Sequence, residues 1–273
     1  MRPLVCLLLV LAAACSPGDA ARPASPEPTL EVSVSQFRFD EGTRNLRAAV
    51  TNAGEGTVTV TEATIAWSGF ERHAAEVEPE PLAPGDTVGF SLQYGDPRCP
   101  AGEDATPAMA AVVDGAERVV PLDKDDAAEI RLLHERECLV HELEAAADIE
   151  LDLADRTTTS ARGEHLDGRI VVRPRGGRAI ELVDLAGSVL LRLEAPDGLP
   201  IRVSSSAGVT RIPVRISSAG RCDPHALGNS SQTFLFGIHV RLGDRPPQRV
   251  VRFPTAAEKR LLTGLLDRSC GVS

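Results

Sequence analysis

One cassette of residue types occurs twice in this chain, about 120 residues apart. The first copy reads Arg98-Cys99, an apolar hairpin around Asp114-Gly115, Asp126-Ala-Ala-Glu129, and an amphipathic run to Cys138. The second reads Arg221-Cys222, a hairpin around Gly243-Asp244, Thr255-Ala-Ala-Glu258, and a leucine-rich run to Cys270. Asp126 and Thr255 each precede a glutamate by three residues. In that capping-box pattern the first side chain accepts from the N3 amide and the glutamate reaches back to the cap. Each copy therefore predicts a cysteine after a strand, a hairpin, and a short capped helix returning a second cysteine.

The residues ahead of each cassette alternate with period 2, the strand signature. Leu30, Val32 and Val34 share one face, and Leu46 to Val50 come after a polar turn. Val58 and Val60 alternate, then the phase slips so that Ala63, Ile65 and Trp67 face one way; one extra residue, a β-bulge, has this effect. The second copy matches in order. It has Ile149, Leu151 and Leu153, then Leu166 to Val172, then Ile180 and Leu182 with the same slip before Leu185. The chain thus reads as two tandem all-β units, over residues 29–144 and 145–273, each ending in a short disulfide-tethered helix. Spacing and turn signals predict β-sandwiches.

Residues 1–14 hold Arg2, an apolar run from Leu4 to Leu11, and Ala12-Ala13-Ala14 before Cys15. That layout is an export signal and is too short to span a bilayer as a helix. Small residues directly before a cysteine resemble the lipobox of bacterial, actinobacterial-type lipoproteins. The resemblance implies that Cys15 receives the lipid, so the membrane is a partner through the N-terminus and the protein lies on the extracytoplasmic face of the cell membrane. Read as Ala-x-Ala, the same residues instead release a secreted product. Residues 15–28, rich in Pro, Ala and Ser, read as a flexible tether. The two units resemble bacterial immunoglobulin-like domains, in strand count and in the Asn52-Ala-Gly and Pro84-Gly-Asp turns, although the Cys–Trp–Cys framework of antibody domains is missing.

Export implies an oxidising compartment and disulfides. Cys99, Cys138, Cys222 and Cys270 allow three pairings. The repeat favours Cys99–Cys138 and Cys222–Cys270, each inside one copy. Charge is uneven: residues 29–146 carry 9 basic and 23 acidic groups, and 147–273 carry 18 and 14. An acidic first half argues against nucleic acid as a partner.

Three groups of residues are candidate sites. His134, Cys138 and His141 fall on one face of a helix at spacings that could hold zinc. The second copy has Leu266 in place of His134, and a thiolate competes with disulfide formation. Asp223 and His225, with His239 on the facing hairpin, could ligate a metal or begin an acid–base pair; as a turn, Asp-Pro with a polar His needs no ligand. Arg169, Arg173, Arg175 and Arg178 could form an anion patch or simply a solvated strand face. No GxSxG, HExxH, phosphate loop, CxxC or EF-hand pattern is present. The expectation is a non-catalytic binding or scaffolding protein with no cofactor, meeting an envelope protein or polymer; a metal-assisted hydrolase using Asp223/His225 or His134/His141 is the alternative.

Overall fold

Strands form where the alternation runs, and helices where it gives way to unbroken helix formers. The computed structural model describes residues 28–102, 106–160, 163–204, 206, 208–229 and 232–271. The expected export signal, Cys15 and nearly all of the expected tether lie outside the described residues.

The first unit comprises β1 (Leu30–Ser35), β2 (Asn45–Asn52), β3 (Val58–Ile65), β4 (Ala75–Leu82), β5 (Thr87–Gln93), β6 (Ala108–Val113), β7 (Ala116–Pro121) and α1 (Lys124–Ala146). The second comprises β8 (Ala147–Ser160), β9 (Gly163–Pro174), β10 (Ile180–Ala186), β11 (Leu191–Glu194), β12 (Ile201–Val203), β13 (Thr210–Ser218), α2 (Pro224–Asn229), β14 (Phe236–Leu242), β15 (Gln248–Arg252) and α3 (Ala256–Cys270). In the first, sheets β1-β2-β5 and β4-β3-β6-β7 share one apolar core; in the second, β8-β9-β13-β11 and β12-β10-β14-β15 share another. The strand order is the same, with β11 as an added edge.

Both phase slips appear as register shifts, between Val60 and Glu62 in β3 and between Leu182 and Asp184 in β10. The β6–β7 turn puts Asp114 at φ 49° and Gly115 at φ 79°. Two positive φ values in a two-residue loop are what a twisted hairpin needs. Asn52, fully buried, closes the Asn-Ala-Gly turn: its Nδ2 donates to Gly56 O (2.7 Å) and Leu82 O (2.9 Å), and its Oδ1 accepts from Gly54 N (3.0 Å). One side chain thus ties the end of β2 to β4 of the opposite sheet.

Thr255 forms the expected capping box with Glu258. Asp126 does not cap α1. The cap is Asp123, whose carboxylate accepts from the amides of Asp125 and Asp126. Asp126 lies inside the helix and accepts instead from the Val34 amide of β1 (3.2 Å), fastening the helix to the edge strand. Nor is α1 short: it spans 23 residues and passes Cys138 without a break. No Gly or Pro lies between Lys124 and Ala146, so the helix has no reason to stop at the cysteine.

Candidate functional site: the joint between the units

α1 runs across the predicted unit boundary at 144/145 and belongs to both cores. Ala127, Ile130 and Leu133 are buried in the first core; Leu143 and Ala146 are buried in the second. Its C-terminal cap residue, Ala147, is already extended (φ −157°, ψ 150°) and opens β8. No linker separates helix from strand, so the units cannot swing on a loop. Glu142 holds the far part of the helix, pairing with Arg178 (2.5 Å) and Arg245 (3.3 Å) of the second unit.

A second line of contact crosses from the residues between β1 and β2. Glu41 pairs with Arg249 of β15. Gly42, at φ +75°, lies so close to Val251 that an added Cβ would stand 2.8 Å from the valine Cβ. The glycine is needed twice, for its left-handed backbone and for the close approach. Between these contacts lies a cleft of about 320 Å³, lined by α1, β15 and the 36–44 segment. Behind its first-unit wall, Tyr94 donates to Glu137 (3.0 Å) and accepts from Gln36 (3.3 Å), while Arg136 donates to the Gln36 side-chain oxygen. Arg44 pairs with Asp96 and approaches Glu137 at 3.7 Å. Burial, and then the neighbouring Glu137 carboxylate, push the Tyr94 phenol well above its ordinary range. On the opposite wall Arg252 donates to the carbonyls of Ile149 (2.7 Å) and Val251 (2.9 Å). Burial holds its guanidinium below the usual arginine range, against the opposing pull of Glu144, Asp148 and Glu150. The arrangement joins units through satisfied polar groups around a helix core. The sequence gives little sign of it, because these residues come from four separate segments with no shared motif.

The disulfides are Cys99–Cys138 and Cys222–Cys270, with Cα separations of 5.8 and 5.4 Å. Cys99, His134 and Cys138 place possible ligand atoms within 4.8 Å of one another, but the two sulfurs are bonded to each other. The His134 ring is buried beneath Trp67 (5.0 Å between centroids) and Phe70 (5.4 Å), and its Nε2 lies 2.9 Å from Arg98 O. It packs the underside of the disulfide. His141 is exposed farther along α1 and does not join the other two.

Asp223 accepts from the Ala226 amide (2.9 Å) at the start of α2 and pairs with Arg221 (3.1 Å). Those donors, the amide first, hold its carboxyl below the usual range. His225 lies in α2, and His239 lies on the outer face of β14 between Asp184 and Arg249 in register. The three form no metal-ligand cluster among the described residues. The arginine run is likewise committed. Arg169 pairs with Asp152 (2.7 Å), Arg173 with Asp148 (3.1 Å) and Glu150 (2.6 Å), and Arg178 with Glu142; Arg175 donates to Glu144 O (3.3 Å). What spacing presents as an anion patch is matched by carboxylates of β8 and α1.

No known family profile matches the chain, and no curated protein does. Among solved structures it is similar to the CsuC–CsuE chaperone–tip adhesion subunit pre-assembly complex from archaic chaperone–usher Csu pili of Acinetobacter baumannii. Identity is 11%, over 76% of this chain and 90% of that one, with a TM-score of 0.17. It is also similar to a protein of unknown function from Porphyromonas gingivalis W83, at 17% identity over 76% and 88%, with a TM-score of 0.21. Neither superposition is close enough to carry an argument about this chain.

Proposed function

We propose that the protein is a lipid-anchored binding or scaffolding protein of the bacterial cell envelope, non-catalytic, built from two immunoglobulin-like β-sandwich units held in fixed relation. The observation that carries this reading is the shared helix. A chain that needed only two independent modules would gain nothing from burying Leu143 and Ala146 of the first unit's helix in the second unit's core. Fixing two surfaces relative to each other is a scaffold's requirement. The sheet order β1-β2-β5 against β4-β3-β6-β7, repeated in the second unit, supports the immunoglobulin-like assignment. Two disulfides support an oxidising location.

Two experiments test the reading. In cells fed labelled palmitate, the wild-type chain takes up label and sediments with membranes, while Cys15→Ser does neither. Equal sedimentation of the variant defeats the anchor. Cross-linking on intact envelopes, followed by pull-down of the chain, recovers a defined partner that is lost when charge is reversed on one unit's surface. Recovery of nothing above the background of a released, anchorless chain defeats the binding role.

A further inference from the structure

The outer face of the β8-β9-β13-β11 sheet carries two groups of arginines, and they are paired unequally. On the β8 side, Arg169 and Arg173 meet carboxylates one strand away. On the β11 side the register sets Arg192 opposite Ser217, and Ser217 opposite His165. Two residues along, Glu194 lies opposite Arg215, and Arg215 opposite Asp167. Alternation puts both rows on the same outward face. The C-terminal end of α3 brings Arg268 and Ser269 to this edge, and a recess of about 540 Å³ lies between.

Three guanidinium groups line that recess, and their partners are unequal. Arg268 is spent on Glu164 (2.7 Å). Arg215 approaches Asp167 only at 3.7 Å, and its Nε is buried without a hydrogen-bond partner. Asp167 also faces the ring of His165 (3.4 Å), a residue only 3% exposed. Arg192 has no ion-pair partner among the described residues, and neither does Glu194. That enclosed N–H is a standing cost, and the terminal nitrogens of Arg215, which make no hydrogen bond among the described residues, are the donors left for a ligand. Guanidinium forks and serine hydroxyls together suit a tetrahedral oxyanion.

We propose that this recess binds a phosphate or phosphate-monoester group, held by Arg192 and Arg215 with the Ser217 hydroxyl. Glu194 accepts a hydrogen bond from the P–OH of the bound monoanion, the form a phosphate monoester holds up to a pKa of about 6. Sulfate, which brings no proton, meets that carboxylate as a repulsion. The site gives the second unit a ligand of its own and rests on neither the lipid anchor nor the joint.

Isothermal titration of the full chain, both disulfides intact, tests this with inorganic phosphate, glycerol 3-phosphate and, at matched ionic strength, sulfate. Saturable one-to-one binding of a phosphate probe is expected, with sulfate at least tenfold weaker. Tighter binding of glycerol 3-phosphate identifies the ester as the source, and tighter binding of inorganic phosphate identifies the free ion. Arg192 is exposed on a strand, so Arg192→Ala folds, which circular dichroism checks, and it weakens binding tenfold or more. Arg169→Ala, on the β8 side of the same sheet and away from the recess, leaves binding unchanged. Absence of saturation with both phosphate probes, equal affinity for sulfate, or an equal loss in Arg169→Ala overturns the assignment.

Discussion

In the first half the closing helix gives its N-terminal residues to one core and its C-terminal residues to another; in the second half the equivalent helix serves a single core and ends. α1 continues past Cys138 through eight further residues, with no breaker before β8. α3 ends on Cys270, where Gly271 takes the left-handed conformation at φ 65° and the cap amide returns to Arg268 and Asp267. The same sulfur bridge therefore falls within a connecting helix in one copy and at the last turn of a terminating helix in the other. The surroundings differ to match: His134 lies beneath the first bridge under two aromatic rings, and Leu266 stands at that place in the second copy's order. Helix formers after the second cysteine turn a copied unit into a connector, and a glycine there turns it into an end.

The largest test of that contrast removes each bridge in turn. The closed loops have nearly equal sequence separations, 39 and 48, and chain entropy alone assigns each about 4 kcal/mol. Cys222→Ser with Cys270→Ser should lose about that amount. Cys99→Ser with Cys138→Ser should lose more, because His134, whose Nε2 lies 3.3 Å from the Cys138 sulfur, loses the surface it packs on beneath Trp67. Trp67 is the only tryptophan, so its fluorescence follows the first unit while calorimetry follows both. Equal losses from the two pairs would reduce the aromatic shell to decoration. Next in size is Leu143→Ala, at a position 1% exposed, where a core truncation costs about 3 kcal/mol. If α1 couples the cores, the Trp67 midpoint in denaturant falls although the cavity is in the other unit. A midpoint that does not move would separate the halves.

Much of this contrast is legible in the residues alone, and the remainder is not, for identifiable reasons. Alternation and its two slips are backbone-local and appear as strands with register shifts at the expected residues. The pairing of cysteines within copies follows from the repeat. The cap of α1 is ambiguous in sequence because Asp123 and Asp126 both precede helix formers, and only the Val34 amide, 92 residues distant, engages Asp126. The arginine run in β9 and the turn after it resembles an anion site because its carboxylates lie on β8 and α1, as far as 36 residues away in sequence. The joint is hidden for the same reason on a larger scale: Glu41 and Arg249 are 208 residues apart.

His134→Leu is a smaller test, making the first copy resemble the second at one position. The Arg98 carbonyl then loses the ring nitrogen 2.9 Å away, and the loss should be about 1–2 kcal/mol. A variant at least as stable as the parent would mean that the ring merely fills space.

The smallest stability effect belongs to the joint's phenol, and its readout is the cleanest. Tyr94 is the only tyrosine, so phenolate absorbance in an alkaline titration reports the first wall of the cleft alone. A phenol whose folded pKa is raised adds stability that is fully present below the unfolded value of about 10 and is lost as pH climbs through the folded value. Native protein should therefore show no phenolate at pH values where the denatured chain is ionised, and its alkaline unfolding should coincide with Tyr94 titration. Glu137→Gln keeps an acceptor for the hydroxyl while removing the charge that opposes phenolate, so the titration should move down in pH. Burial, the larger cause, remains, and the shift should stop short of the ordinary value. The stability cost should stay within about 1 kcal/mol, since Arg44 keeps Asp96 as a partner. The second unit has no tyrosine and no tryptophan, so any change in these signals belongs to the first unit and its face of the joint. A Tyr94 that ionises normally in the folded chain would show that the cleft admits water freely, and the joint would then rest on the buried end of α1 alone.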